Sequence, residues 1–324
     1  MPVSPPYMRC SKLDKLDRII YPAIVQKKCD GMFSNNIVTD NVCSFITRAG
    51  ESFDLPYHKT LFEEIACGQN LVFHGEAIVA GKDRHTSNGL MNRLLQQGKV
   101  IDRLLSKSMF PIVEDGSRED YDWIQANTVL HLWDVVPYED WISGECKVPY
   151  SERFDWLCSL EFDPRRVQII ESQIVHSQEE AIAIAEDYIR QGYEGAILKN
   201  MNATWKNHTS PYQIKLKNVE ECDLKVVDWI EGKGKNKGLL GSLQCESCDG
   251  MVQVDVGTGL SYEERKFTKE WVGLIIRVLY EKLTMAKNKD VYSLSHPRFD
   301  EVRQDKMVAD DYETIKAKQK VGIK

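Results

Sequence analysis

The 324-residue sequence contains no apolar run long enough to cross a bilayer, and its opening Met1-Pro2-Val3-Ser4-Pro5-Pro6 lacks the charged and apolar parts of a signal peptide. A soluble protein of the cytoplasm is expected, with no membrane partner. There is no second tight cysteine pair to join Cys245-x-x-Cys248, so the roughly four ligands of a structural zinc site are missing. Nine scattered cysteines, an odd number, instead suit reduced thiols. The Asn207-His208-Thr209 sequon has no meaning without secretion. Nor is there an excess of positive charge. A net charge of −7 argues against a general nucleic-acid coat protein, because binding to phosphates rests largely on lysine and arginine displacing counterions.

What is present is length, apolar content and local charge clustering. A chain of this size with 42% hydrophobic residues suggests two domains. Lys215, Lys217, Lys225, Lys233, Lys235 and Lys237 gather between positions 215 and 237, while acidic residues crowd positions 114–122. An acidic protein can still present one basic face.

The apolar run 21–25 reads as a strand that delivers Lys28 to an Asp30-Gly31 turn. An amine at a strand end is a candidate covalent nucleophile if its surroundings free it of its proton, although these few residues taken alone favour an ordinary surface lysine before a β-turn. Residues 36–40 and 42–48 read as strand, turn, strand, with Arg48 at the end beside Ala49-Gly50. A helix follows at 57–68, then a strand at 71–79 broken by Gly75, which marks a close approach of backbone or ligand. Glu76 in that strand is a carboxylate among apolar neighbours and needs a partner. Residues 84–89 read as a polar turn and 90–106 as a helix whose apolar face is Leu94, Leu95, Ile101, Leu104 and Leu105; with the acidic stretch after it, this looks like an insertion.

Residues 128–137 form a second buried strand in which Trp133 is either core or a stacking surface for a flat ring. A helix at 151–160, a strand at 166–175 and a helix from an N-cap at Ser177 to Gln191 come next. Glu194 and Lys199 sit on one strand at odd separation, so they share a site only if the strand bends at Gly195. Lys215 and Lys217 alternate with apolar residues and share a face. Near residue 219 the composition shifts to short strands and tight turns, with a helix expected at 268–283; this pattern suggests a small barrel of the OB type.

Taken in order, these stretches resemble the nucleotidyl transferase motifs of ATP-dependent DNA ligases of the short bacteriophage type. Lys28-x-Asp30-Gly31, Arg48-x-Gly50, Gly75-Glu76, Trp133-Asp134, Glu194-Gly195 through Lys199, Lys215-x-Lys217 and Arg303-x-Asp305-Lys306 carry the resemblance. It implies an α+β protein: a mixed α/β nucleotidyl transferase domain (ATP-grasp-like, adenylating) at 1–219 with a helical insertion at 84–126, then an OB-fold β-barrel at 220–324. Three positions depart from the family pattern. Phe33 stands where members usually carry arginine, His74 where the third motif usually begins with aspartate, and the stacking aromatic is Trp133, with His131 beside it as the alternative.

The activity implied is sealing of nicks in duplex DNA by a monomer that uses ATP and Mg2+. Lys28 would attack the α-phosphorus of ATP, the adenylyl group would pass to a 5′-phosphate, and the 3′-hydroxyl would displace AMP. For that attack a depressed pKa of Lys28 is expected from burial and from cationic company in Lys199, Lys215, Lys217 and Mg2+. By the same resemblance Glu194 is the metal ligand, Glu76 binds ribose hydroxyls or metal, Arg48 the ribose, and Gln26 the adenine edge. Lys215 and Lys217 neutralise phosphate charge, while Arg303 and Lys306 orient pyrophosphate in the first step. The rival readings are an mRNA capping guanylyltransferase, an RNA ligase, and an OB-type nucleic-acid binding protein with decayed transferase motifs.

Overall fold

Two sheets form the frame of the first part of the chain, and the turn that carries Lys28 links them. The computed structural model describes residues 4–82, 84–105, 117–285, 290–318 and 323. The chain divides into two units, Met1–Leu216 and Lys217–Lys324.

In the first unit a five-stranded sheet runs in the order Arg9–Ser11, Thr209–Lys217, Gly195–Asn200, Ala23–Lys27, Ser172–Val175. A six-stranded sheet runs Ser52–Phe53, Val42–Ile46, Met32–Thr39, Leu71–Val79, Thr128–Pro137, Val167–Ile169. The central strands are buried on both faces: Phe73, Ala77, Leu130 and Leu132 point into one core with Phe45 and Phe62, all at most 1% exposed, while Val72 and Val136 join a second cluster with Trp141 and Trp205. Each such leucine or phenylalanine side chain contributes about 1.5–3 kcal/mol of burial free energy. Helices Pro56–Ala66, Arg84–Leu105, Ser117–Asn127 and Tyr150–Ser159 cover this core through Phe62, Met91, Leu94, Ile124 and Leu157. Helix Gln178–Arg190 packs on the smaller sheet with Ala181, Ala185 and Tyr188 buried, and Ser177 Oγ caps it by accepting from Glu180 N at 3.1 Å.

Two local expectations change. Residues 84–89 are not a turn but the first turns of the helix Arg84–Leu105; Ser87 is buried there, its Oγ accepting from Val79 N at 2.9 Å, so a polar residue ties the helix to the preceding strand. The expected strand at 166–175 is two strands in different sheets. Val167–Ile169 runs parallel to Thr128–Pro137, whereas Ser172–Val175 runs antiparallel to Ala23–Lys27. Ile170 N donates to Leu132 O at 2.9 Å and Glu171 O accepts from Lys27 N at 3.1 Å, so this short link binds both sheets. The side chains of Ile101, Leu104 and Leu105, Ser106 and much of the acidic stretch 114–122 lie outside the described residues.

The second unit is built on a five-stranded antiparallel sheet in the order Gln253–Val256, Leu240–Glu246, Glu220–Glu231, Ile275–Tyr280, Arg298–Val302. Its outer edges come together at a parallel bridge between Thr258 and Arg298, where Phe299 N donates to Thr258 O at 2.8 Å. This is an OB-like sheet. The helix expected at 268–283 is absent: a single 3-10 turn, Lys269–Trp271, leads into strand Ile275–Tyr280. Its Ile276 and Val278 are fully buried and β-branched, which favours a pleated surface over a helix. Among the described residues no helix is long and apolar enough to cross a membrane.

Candidate active site

Lys28 lies one residue beyond strand Ala23–Lys27 and is tied to the neighbouring strand twice. Its backbone N donates to Gly195 O at 2.9 Å, and its Nζ forms a short ion pair with the Glu194 carboxylate. The two side chains are 17% and 14% exposed. Gly195 has φ +133°, a conformation L side chains rarely adopt, and this bend lets Glu194 reach Lys28 while Lys199 follows along the strand. On the other side of the turn, Glu76 Oε2 accepts from Gly31 N at 2.8 Å. A Cβ at Gly31 would lie 2.5 Å from Ile78 Cγ1 and 2.7 Å from Ala77 O, so only glycine lets the turn pack so closely on that strand.

The charge state of Lys28 differs from the depressed pKa expected from sequence. Burial pushes the amine down, but Glu194, Glu76 and Asp30 together outweigh it and hold the pKa above the ordinary lysine value. The correction has a plain cause. The nearest charges are carboxylates, and the ammonium form is the one they stabilise. Glu76 moves the other way: burial pushes its carboxyl up to about 7, against the pull of Lys28 and the Gly31 amide.

A cleft of about 250 Å³ opens in front of this turn, and Gln26, Lys28, Arg48, Glu76, Trp133, Lys199 and Lys215 all line it. Gln26 is buried, with Nε2 donating to Ser172 Oγ at 3.0 Å. Lys199 Nζ lies 4.2 Å from the centre of the Tyr150 ring, and burial, opposed by Asp134, lowers its pKa to about 8. Trp133 reaches the cleft because the strand bulges there. The register passes from His74 opposite Asp134 to Gly75 opposite Leu132, which leaves Trp133 as the extra residue. A Cβ on Gly75 would lie 2.6 Å from His131 O, so the close approach expected of this glycine is to the bulged strand itself. His131 pairs in register with Glu76 and is not among the lining residues.

Three candidate residues fall in the second unit, each held by carboxylates. Lys217 pairs with Glu281; Arg303 meets Asp223 at 2.8 Å and Asp305 at 2.7 Å; Lys306 meets Asp223 at 2.5 Å and Asp310 at 3.0 Å. Although Lys215 and Lys217 alternate on one strand, the division of the chain falls between them.

Several site residues carry no motif. Tyr7, Arg9, Phe33 and Gln213 line the cleft, yet only Phe33 draws notice in the sequence, as a departure from a pattern. Behind the cleft, Asp134 and Arg153 form a two-pronged ion pair with Nε–Oδ1 at 2.8 Å and Nη2–Oδ2 at 2.9 Å, both side chains at most 3% exposed. His74 is packed flat on Trp205 at 5.6 Å, with Nδ1 2.8 Å from Asn35 Oδ1. Burial lowers its pKa to about 4, which keeps the imidazole neutral at physiological pH. Among the described residues no group of three or more metal-ligating side chains is found.

Comparison with known proteins identifies the family. Residues 8–217 match the family model described as the ATP dependent DNA ligase domain, and residues 231–303 match the DNA ligase OB-like domain. A stretch of 132 residues is 36% identical to the DNA ligase of Enterobacteria phage T4 and covers 40% of this chain but only 27% of that relative. A solved structure from work on DNA binding with a minimal scaffold in Lig E DNA ligases superimposes with a TM-score of 0.67 at 20% identity, over 93% of this chain and 100% of the other. The ATP-dependent DNA ligase of bacteriophage T7, in complex with ATP, gives a TM-score of 0.50 at 17% identity over 93% and 98%. These two likenesses are of fold. The ligase domain match spans well over half of the sequence, and the chain belongs to the family of ATP-dependent DNA ligases.

Proposed function

We propose that this protein is an ATP-dependent DNA ligase that seals nicks in duplex DNA through a lysine-adenylate on Lys28. The observation that carries the reading is Lys28 itself, a mostly buried amine at the head of a cationic cleft, fixed through both its backbone and its side chain. Its Nζ forms a bond to the α-phosphorus of ATP as the bond to pyrophosphate breaks, and the amine proton is lost. The adenylyl group then moves to the 5′-phosphate of the nick, and the 3′-hydroxyl displaces AMP. Attack needs the amine free of its proton. Drawing Glu194 away from the amine removes the largest of the charges that hold that proton.

The donor set suits Mg2+. Glu194 and Glu76 offer hard carboxylate oxygens, and a set of fewer than three protein ligands leaves the remaining positions to phosphate oxygens and water, as Mg2+ prefers. Bound there, Mg2+ would supply neutralisation of charge on the phosphate oxygens. Lys199 and Lys215 add fixed positive charge from the cleft wall, usually the largest catalytic contribution. Gln26 reads the adenine edge, Trp133 stacks on the ring, and Glu76 serves ribose hydroxyls or metal. Lys217 serves the phosphates, and Arg303 and Lys306 orient pyrophosphate in the first step alone. The partner is nicked duplex DNA, and the working form is a monomer in the cytoplasm.

Incubation with α-labelled ATP and Mg2+ is expected to leave denaturation-resistant label on the wild-type chain and none on Lys28→Ala. Label persisting in that variant overturns the nucleophile. Label from GTP instead of ATP points to a capping enzyme. A gel assay of a nicked DNA duplex, beside the same nick with one RNA strand, reads the sealing activity itself.

A further inference from the structure

One wall of the cleft is a ladder of guanidinium groups and rings. Arg9 Cζ lies 4.9 Å from the centre of the Tyr7 ring; Arg48 Cζ lies 5.0 Å from the same ring and 5.3 Å from that of Phe33; Phe33 in turn stands 6.0 Å from Trp133. All five side chains line the cleft. The Tyr7 and Phe33 ring centres are 5.7 Å apart, and Arg48 lies within reach of both.

Arg48 differs from the other well-placed arginines. It projects from a tight turn fixed by Gly50 N donating to Thr47 O at 3.0 Å and Thr47 N donating to Glu51 O at 2.9 Å. Its side chain is exposed, and among the described residues it has no carboxylate or hydrogen-bond partner, whereas Arg153 and Arg303 are each held by aspartates. A guanidinium whose faces lie against rings keeps its in-plane N–H groups for an acceptor. Among the described residues, only Arg9 and Arg48 bring guanidinium groups to the cleft, and Arg9 Nε already donates to Thr209 Oγ1 at 3.1 Å. The lysines of the cleft act as point charges; Arg48 alone has an entire planar fork unspent.

We infer that Tyr7 and Phe33 are positioning residues that grip the Arg48 guanidinium and aim it, as an anion fork, at a phosphate in the cleft rather than at ribose. This rests on the ligase reading. The phosphate belongs either to the nucleotide or to the 5′ end of the nicked strand; both present the same chemistry. The rings replace a carboxylate in orienting the side chain without neutralising it. A carboxylate partner would have cancelled the charge that binds the phosphate.

Calorimetric titration with inorganic tripolyphosphate tests the grip without turnover. Phe33→Leu is expected to weaken binding roughly 3- to 10-fold, the range of a cation–π contact, while Phe33→Tyr stays within about twofold. In an Arg48→Ala background Phe33→Leu is expected to add nothing, because the ring acts through the arginine. Unchanged binding in Phe33→Leu, or a full additional loss in the Arg48→Ala background, overturns the proposal. Tyr7→Leu gives the same reading should Phe33→Leu fail to fold. The source of the phosphate is read from two titrations. Self-adenylation against ATP, and transfer from purified lysine-adenylate against 5′-phosphorylated nicked DNA, are each measured for Phe33→Leu. The arm in which half-saturation rises more than the maximal rate falls names the source, and a shift in neither overturns the proposal. A wild-type chain that binds tripolyphosphate with this dependence but takes no label would sink the ligase reading and leave the grip standing.

Discussion

Glu76 Oε2 accepts a hydrogen bond from the backbone N–H of Gly31 at 2.8 Å, so the carboxylate of one motif holds the turn of another. The turn is packed so tightly that a methyl group at residue 31 would meet Ala77 O at 2.7 Å. Gly31→Ala is therefore expected to cost about 1–3 kcal/mol as the turn shifts to relieve the contact. Because the shift moves Lys28, labelling from α-labelled ATP should fall by more than the loss of folded protein explains. Urea denaturation alongside the labelling assay separates the two effects.

Glu76 also sets a pH dependence of stability. Its folded pKa, about 7, is raised from 4.5, so the folded form binds the proton more tightly than the unfolded chain does. The stability this contributes is fully present below pH 4.5 and is lost as pH rises through 7. Glu76→Gln keeps an acceptor for Gly31 N but no longer titrates. Its unfolding free energy should vary less than that of the wild type between pH 4.5 and 7, and parallel curves would refute the assignment.

Lys28 titrates in the opposite sense to the one the proposed attack on ATP needs. Burial opposes its proton, Glu194 is the strongest group that retains it, and the net effect is a raised pKa. Glu194→Gln should therefore lower the pKa and move the rising limb of the pH profile for amine modification toward lower pH. Reductive methylation at Lys28, followed by peptide mass analysis without nucleotide or Mg2+, measures this independently of any loss of metal binding. A limb that stays put removes Glu194 as the controlling charge.

The buried Asp134–Arg153 pair anchors helix Tyr150–Ser159 to the strand that carries Trp133. Removing one partner leaves the other charged and dry, at a cost of about 3–5 kcal/mol. Asp134→Ala should show that loss in urea denaturation. The double change Asp134→Leu with Arg153→Met should recover part of it, since it leaves neither member of the pair buried without the other, although buried Lys199 still loses the charge of Asp134.

Much of this site was legible because its parts are local. A lysine after an apolar strand, an Asp-Gly turn and a glycine before Glu76 each declare a backbone geometry within a few residues. The bend at Gly195 that brings Glu194 to Lys28 was legible as a possibility that the glycine permits. What stayed hidden depends on distant pairing. Tyr7 enters the cleft because strand Arg9–Ser11 pairs with Thr209–Lys217, and three residues of strand give no readable period. The sheet switch at Ile170 and Glu171 left no mark, because residues 166–175 mix apolar and polar side chains with no glycine or proline to signal a break. The run ending in Ile275–Tyr280 was read as helix because continuous apolar residues suit both structures until their packing is known. The charge of Lys28 was misjudged for a similar reason: its cations were visible as motifs, whereas which charges lie nearest is a matter of three dimensions.

The double attachment of Lys28 to Glu194 and Gly195 also has a consequence in time. The two partners follow the lysine by 166 residues and more, so a ribosome must complete most of the first unit before the amine acquires either of them. Until then the lysine is an ordinary solvated side chain on a nascent chain, with neither the buried setting nor the aimed geometry that reaction requires. On the ligase reading, reactivity at residue 28 is thus withheld from incomplete chains by topology, and truncated products ending before residue 194 are expected to take no label from α-labelled ATP.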